Sequence, residues 1–161
     1  MKKTRNGFKK LLSNIQMNAL SRDKNGDFTV IKSSTNRKRF ESSGNWWGSN
    51  PNSKRWNPSK IYITEQDLME VWKEQNELCY WFNIPLDFNL LFSDYVNYYP
   101  KHPLAPSVDK KNDDGDYVKD NIVICCRFAN FGRNIYPFDK FHDVVETIKG
   151  NVKVNNIMEY L

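Results

Sequence analysis

Apolar residues recur at helical spacing near the start of the chain and predict a helix over residues 7–22. The members of this apolar stripe are Phe8, Leu11, Leu12, Ile15 and Ala19. Lys9 and Lys10 lie outside the stripe, so we expect the helix to bury one face and to expose a basic one. A turn around Gly26 follows, and the segment FTVIKSS after it predicts a short strand.

A second helix is predicted over residues 65–76, where apolar side chains again follow helical spacing. Thr64 is suited to cap its first turn, and Asp67, three residues later, supplies the acidic partner of a capping box. A third helix is predicted over residues 138–149, stopped by Gly150.

Between the second and third of these helices, a polar stretch followed by an apolar one predicts two strands and a helix. The first strand ends at Lys110, residues 111–120 form a polar loop, and the second strand begins at Asn121. A helix follows over residues 126–134, with Asn130 facing the two strands. Asn121 is expected to bond across the loop and to hold its shape. The predicted fold class is therefore α+β, a small ββα unit with flanking helices.

Composition indicates a single globular domain. With 161 residues, of which 39% are hydrophobic and 14% aromatic, the chain is large enough to bury its own core. No apolar run is long enough to span a bilayer, and no secretory signal is apparent, so we expect no membrane association and a cytoplasmic location. Abundant asparagine, lysine and isoleucine are compatible with a phage protein made inside a host cell. Cys79, Cys125 and Cys126 suit neither a disulfide framework nor a structural zinc site and are expected to be small buried residues.

Charge divides the chain into two predicted regions. Residues 1–60, which we call the basic arm, carry fourteen Lys and Arg against three acids, whereas residues 61–161 carry ten against sixteen. This division suits an arm that grips phosphates and an acidic region that holds a cation. Tryptophans interleave with the basic residues of the arm, which favours stacking on bases, although they could instead pin the arm to the core. The predicted nucleic-acid contacts in the arm are Lys9, Lys10, Arg37, Lys38, Arg39, Lys54 and Arg55.

Two stretches carry motifs in a characteristic order. SVDKKNDDGDYVKDNIVICCRFANFGR contains Asp109, Tyr117, Asn121, Asn130 and Arg133, and the upstream stretch LMEVWKEQNELCYWFNIPL contains QNELC and IPL. In spacing and order these motifs resemble those of the phage-type HNH endonucleases. Members of that family often carry D-R-I-D or D-H-I at a strand end, then G-Y in a short loop, then N, then N and a basic residue on a helix. The resemblance covers about residues 62–134 and implies the ββα-metal fold.

The resemblance implies a metal-dependent endonuclease or nickase that acts on double-stranded DNA. Asp109 and Asn130 would hold one Mg²⁺ or Mn²⁺ ion at the scissile phosphate, as these ions prefer oxygen ligands. Asn121 would fix the loop, and Arg133 would contact the nucleic acid. The basic arm would then be followed by an HNH-like module with a C-terminal helix over residues 61–161.

The sequence departs from the family where water would be activated. Lys110 stands where D-H-I members carry the catalytic histidine, and a lysine acts as a base only if burial lowers its pKa a good deal. His102, seven residues before Asp109, is the alternative base, or else an ordinary surface histidine. The missing histidine leaves a second hypothesis open, an inactive module that binds nucleic acid or a protein partner. Such a partner could be a second copy of the chain or a phage or host protein.

Overall fold

The computed structural model describes residues 2–35, 58–92, 102–134 and 136–151. These residues form helices and two small antiparallel sheets, so the predicted α+β class is confirmed. None of the helices in these ranges is long and apolar enough to cross a membrane. The predicted nucleic-acid contacts that lie outside the described residues are Arg37, Lys38, Arg39, Lys54 and Arg55.

Helix α1, Lys2–Ile15, turns the predicted apolar stripe toward the core, where Phe8 and Leu11 are buried. The prediction that this helix continues to residue 22 is wrong. After the helix the chain turns and runs beside an extended segment, because the carbonyl of Leu20 accepts a hydrogen bond from the N–H of Ile61 at 2.8 Å. This backbone is therefore satisfied by long-range pairing instead of by helical bonds.

Strands β1, Ser21–Arg22, and β2, Phe28–Val30, form a small antiparallel hairpin. The turn between them contains Gly26, whose φ of 91° lies in the left-handed region that favours glycine. Both the predicted turn and the predicted strand after it are present, although the strand is shorter than the segment FTVIKSS.

Helix α2, Glu65–Glu74, begins at the predicted cap. Thr64 Oγ1 accepts a hydrogen bond from the N–H of Asp67 at 3.3 Å, and Asp67 Oδ2 accepts one from the N–H of Thr64 at 2.7 Å. These two bonds confirm the predicted capping box. The buried face of α2 consists of Leu68, Val71 and Trp72.

The predicted order of strand, loop, strand and helix is confirmed in the middle of the chain. Strand β3, Pro106–Lys110, pairs antiparallel with β4, Ile122–Cys126, and helix α3, Arg127–Arg133, follows β4 directly. The second strand begins one residue later than predicted, because a short 3-10 turn over Lys119–Asn121 closes the loop. We call residues 111–121 the hairpin loop. Every residue of β4 is buried, so this strand lies in the centre of the core.

Helix α4, Phe138–Asn151, ends the described part of the chain and packs on Trp81, whose ring centroid lies 4.6 Å from that of Phe138 and 4.9 Å from that of Phe141. The prediction that Gly150 stops this helix is wrong, because Gly150 is itself helical. A glycine ends a helix when its backbone adopts the left-handed conformation, which Gly150 does not adopt. Inside a helix a glycine only weakens it, by about 1 kcal/mol relative to alanine.

Candidate functional site

Strand β3 and helix α3 bring four of the predicted site residues to the wall of one cavity. Asp109 and Lys110 lie at the end of β3, and Asn130 and Arg133 lie one turn apart on α3. Asn130 Nδ2 donates to Ser107 Oγ at 2.9 Å, so Asn130 faces the strands as predicted and ties the helix to β3. The cavity has a volume of about 560 Å³, and side chains of α1 form part of its opposite wall.

Asp109 is a buried carboxylate with hydrogen-bond donors on both oxygens, and only 5% of the residue is exposed. Arg133 pairs with it in a bidentate arrangement, with Nε 2.7 Å from Oδ2 and Nη2 2.8 Å from Oδ1. The N–H of Lys110 also donates to Oδ1 at 2.9 Å, and Trp81 Nε1 lies 3.4 Å from Oδ2. Charge-assisted bidentate pairs are among the strong hydrogen bonds of proteins. The charge of Asp109 is therefore neutralised by groups of the protein itself.

Arg133 is also buried, with 1% of the residue exposed, and it binds a second carboxylate besides that of Asp109. Its Nη2 and Nη1 atoms lie 2.5 Å and 3.0 Å from the two oxygens of Asp113, and Nη1 also donates to the carbonyl of Tyr136 at 2.9 Å. Burial opposes the charge, but the hydrogen bonds to Asp109 and Asp113 outweigh burial and raise the pKa of the guanidinium. Arg133 was expected to contact nucleic acid, whereas its guanidinium binds two carboxylates of the protein, the buried Asp109 and the exposed Asp113.

The groups around Asp109 do not fit the Mg²⁺ or Mn²⁺ ion that the resemblance implies. Both oxygens of Asp109 face the guanidinium of Arg133, so an ion bound there would lie against a like charge. Two unit charges about 4 Å apart interact by roughly 4 kcal/mol at an effective dielectric constant of 20, and a divalent ion doubles this repulsion. Across the described ranges, no three His, Cys, Asp or Glu side chains form a group that could hold a metal ion.

Lys110 acts as a cation that holds the hairpin loop. Its Nζ donates to Ser59 Oγ at 2.7 Å, to the carbonyl of Gly115 at 2.9 Å, and to the carbonyl of Asp113. Burial lowers the pKa of Lys110, and the carboxylates of the hairpin loop counteract that shift. Three acceptors match the three donors of an ammonium group. The arrangement therefore favours a protonated lysine that binds the loop over a neutral one that accepts a proton.

Asn121 bonds across the hairpin loop, as predicted. Its Oδ1 accepts from the N–H of Asn112 at 2.8 Å, and its Nδ2 donates to the carbonyls of Asn112 at 3.1 Å and Asp116 at 3.0 Å. Gly115 packs beside this amide, because a Cβ at that position would lie 2.7 Å from Asn121 Nδ2. The side chain thus closes the loop at its base and explains why glycine occupies position 115.

His102, the alternative base, lies in the turn that precedes β3 and takes part in the hydrogen bonds of that turn. Its Nδ1 accepts from the N–H of Leu104 at 3.1 Å, and its carbonyl accepts from the N–H of Ala105 at 3.0 Å. The residues that line the cavity beside Asp109 do not include His102. The structure therefore does not bring His102 together with the other predicted site residues.

The three cysteines are free and buried, as predicted. Cys79 Sγ accepts from the N–H of Cys126 at 3.3 Å, and Cys126 Sγ accepts from the N–H of Ala129 at 3.4 Å. The first bond joins the turn after α2 to the end of β4, and the second caps the start of α3. These thiols therefore help to position the helix that carries Asn130.

Sequence reasoning missed the contribution of Trp81, and it did not predict that Asp113 pairs with Arg133. Asp113 lies in a run of loop acids that looks solvated, and it meets Arg133 across twenty positions of the sequence. The only sequence signal for it is the density of acids beside Asp109.

Of the predicted basic contacts on α1, Lys9 is exposed and Lys10 is half-buried.

The chain matches no protein-family model, no curated protein and no solved structure. Its function therefore has to be inferred from the site geometry. Asp109, Lys110, Asn130 and Arg133 carry that inference, because they share one cavity wall and have defined hydrogen-bond partners.

Proposed function

We propose that this protein is a nucleic-acid-binding module built on an HNH-like ββα unit, and that it binds double-stranded DNA without cutting it. The observation that favours binding over cutting is the buried bidentate pair of Asp109 with Arg133. It supports binding because Arg133 supplies the positive charge that a metal ion would supply to Asp109 in a nuclease.

The hydrogen bonds of Lys110 also support this proposal. Lys110 replaces the histidine of the D-H-I motif, and its Nζ donates to three oxygen atoms of the protein. A lysine that accepted a proton from water would first have to give up one of its own and lose one of these bonds.

Charge supports DNA as the partner. The chain has a net charge of +5, and its positive charge is concentrated in the basic arm. Lys9 is exposed on the polar face of α1, where it can reach a phosphate group. A DNA partner fits a protein of the host-cell cytoplasm during phage infection. A second copy of the chain, or a phage or host protein, would be a further partner.

A metal-dependent endonuclease or nickase is the second candidate function. It is favoured by the position of Asp109 and Asn130 on one cavity wall and by the cross-loop bonds of Asn121. In that case Asp109 and Asn130 would hold the Mg²⁺ or Mn²⁺ ion, which would provide charge neutralisation at the phosphate, and Arg133 would first have to leave Asp109.

Supercoiled plasmid DNA distinguishes the two functions. The protein is incubated with plasmid in Mg²⁺, in Mn²⁺ and in EDTA, and its binding to a labelled duplex is measured by fluorescence anisotropy under the same conditions. We expect the plasmid to stay supercoiled, and we expect duplex binding to persist in EDTA, since the proposal requires no divalent ion for binding.

Two results would overturn the proposal. Nicking that requires Mn²⁺ or Mg²⁺, and that is lost in a folded Asp109→Asn variant, would establish the nuclease. A failure of the protein to bind DNA even in about 50 mM salt would remove the nucleic-acid function, because phosphate contacts are strongest at low salt.

A further inference from the structure

Four residues that sequence analysis does not single out form a surface where two cations lie over aromatic rings. The cation–aromatic surface consists of Arg22, Phe28, Lys60 and Tyr62. The rings of Phe28 and Tyr62 are 4.7 Å apart between centroids. Arg22 Cζ lies 4.4 Å from the Phe28 centroid and 5.9 Å from the Tyr62 centroid, and Lys60 Nζ lies 5.6 Å from the Phe28 centroid. Tyr62 is 47% exposed, so its ring is accessible to a ligand.

The turn between β1 and β2 holds Arg22 in this position. Asp23 Oδ1 accepts from the N–H groups of Asn25 at 2.8 Å and Asp27 at 3.0 Å, and these backbone bonds lower the pKa of Asp23. Arg22 Nη1 donates to the carbonyl of Gly26 at 2.7 Å. The guanidinium is thus fixed by the backbone of its own hairpin, and a fixed cation loses little side-chain entropy when it binds an anion.

Neither Arg22 nor Lys60 forms an ion pair with a carboxylate in the described part of the chain. Other lysines do form such pairs, since the half-buried Lys119 contacts Glu70 at 2.9 Å and the exposed Lys149 contacts Glu146 at 2.8 Å. Two positive charges therefore lie near the Phe28 ring, and within the described residues neither side chain is paired with a carboxylate, although Asp116 Oδ1 accepts from the backbone N–H of Lys60 at 2.7 Å. This arrangement is complementary to a phosphate group next to an aromatic base.

The surface adjoins the hairpin loop of the candidate site. Tyr117 joins the two, because its N–H donates to the carbonyl of Lys60 at 2.8 Å and its own carbonyl accepts from the N–H of Tyr62 at 3.0 Å. Tyr117 also lines the cavity with Asp109, and Lys110 Nζ lies 5.4 Å from its ring centroid. A strand bound at the surface would therefore lie beside the candidate site.

We infer that Arg22, Phe28, Lys60 and Tyr62 form a contact site for unpaired nucleotides of a DNA strand, an inference that rests on the proposed nucleic-acid function. Arg22 and Lys60 bind phosphate oxygens, and Tyr62 stacks on a base. An unpaired strand fits better than a duplex, because stacking needs the face of a base, which pairing and stacking hide within a double helix.

Fluorescence anisotropy with a labelled single strand and a duplex of the same sequence tests this inference. The variants are Arg22→Gln/Lys60→Gln, which removes the charges, and Tyr62→Leu, which removes the ring. Lys24→Gln is the matched control, because Lys24 is an exposed lysine on the same hairpin that lies over none of the rings in the described ranges. Circular dichroism checks that every variant is folded.

We expect Tyr62→Leu to weaken single-strand binding at least about fivefold and to leave duplex binding within about twofold. The double variant should weaken single-strand binding about tenfold and lower the slope of log K against log salt by about 1.4, since each phosphate contact on a single strand contributes about 0.7. Lys24→Gln should match the wild type.

Three outcomes would overturn the inference in distinguishable ways. Wild-type affinities in both variants, with weaker binding when Lys9 and Lys10 are reversed to Glu, would remove this site and keep the proposed function. Equal loss of single-strand and duplex binding in Tyr62→Leu would contradict the contact with unpaired bases. A wild-type protein that binds neither DNA would contradict the inference together with the proposed function.

Discussion

At the scale of single residues, Asp109 and Arg133 are buried together, and each is the counter-ion of the other. Arg133→Gln would leave the Asp109 carboxylate buried without its counter-ion, since the pair is 5% and 1% exposed. We expect the free energy of unfolding to fall by about 3–5 kcal/mol, as measured by urea denaturation. The double variant Asp109→Asn/Arg133→Gln removes both charges and should recover part of this loss.

An exposed ion pair provides the control for this prediction. Lys149→Gln breaks the contact with Glu146 on the surface of α4, where solvent screens both charges, and the urea midpoint should not change. A loss in Arg133→Gln no larger than that in Lys149→Gln would show that Arg133 does not neutralise Asp109 in solution.

Asn121 contributes hydrogen bonds instead of charge. Asn121→Ala removes three bonds across the hairpin loop, and because a typical bond contributes about 1 kcal/mol, we expect a loss of about 2–3 kcal/mol. Urea denaturation measures the loss, and limited proteolysis should show faster cleavage in the hairpin loop. Asp120→Ala changes the exposed neighbour and should leave both readouts unchanged. Equal behaviour of the two variants would argue against the cross-loop role of Asn121.

The sequence predicts where the side chains of Asn121 and Asn130 point better than it predicts the partner of Arg133. Asn121 and Asn130 were placed correctly because short spacings within one hairpin and one helix set their directions. The partner of Arg133 was not predicted, because it depends on which carboxylate lies nearest after β3 and α3 pack together. Asp109 is therefore found at the expected place, but beside a different cation from the expected one.

At the scale of elements, a side chain connects α2 to β4. Gln75 Oε1 accepts from the N–H of Ile124 at 2.8 Å, and Gln75 Nε2 donates to the carbonyl of Ile124 at 2.7 Å. This pairing gives a structural reason for the glutamine in the QNELC motif. We expect Gln75→Ala to lower the free energy of unfolding by about 1–3 kcal/mol in urea, since it leaves the buried N–H of Ile124 without this acceptor, whereas the carbonyl of Ile124 keeps its bond to the N–H of Tyr80 at 3.0 Å.

Gln66→Ala is the matched control for this element. Gln66 lies on the exposed face of the same helix, and its side chain bonds to Glu70 at 2.9 Å and to no β4 residue in the described ranges. The urea midpoint of Gln66→Ala should stay near that of the wild type. If both glutamine variants lose the same stability, the loss reflects helix propensity instead of the bond to β4.

The elements also show where sequence periodicity misleads. Ala19 continues the apolar stripe of α1, so the pattern predicts a longer helix than the chain forms. Ala19 is buried, but it is buried beyond the helix, where Leu20 pairs with the segment around Ile61. Periodicity reports which residues are buried, whereas the end of α1 is decided by a partner some forty positions away.

At the scale of the whole molecule, the basic arm is expected to provide most of the affinity for DNA. Reversing Lys9, Lys10, Arg37, Lys38 and Arg39 to Glu should weaken duplex binding and flatten its salt dependence, because fewer counter-ions are released. Anisotropy titrations between about 50 and 200 mM salt measure both effects. Unchanged affinity in about 0.1 M salt would mean that the binding surface does not include these five residues.

The central claim is that Arg133 takes the place of a divalent ion beside Asp109, and binding of Mn²⁺ tests it most directly. Electron paramagnetic resonance measures free Mn²⁺ as the wild-type protein and a folded Asp109→Asn variant are added to it. We predict that both proteins leave the Mn²⁺ signal equally unchanged at sub-millimolar concentrations. One Mn²⁺ ion bound per wild-type chain, and lost in Asp109→Asn, would contradict the claim and would restore the nuclease as the first candidate function.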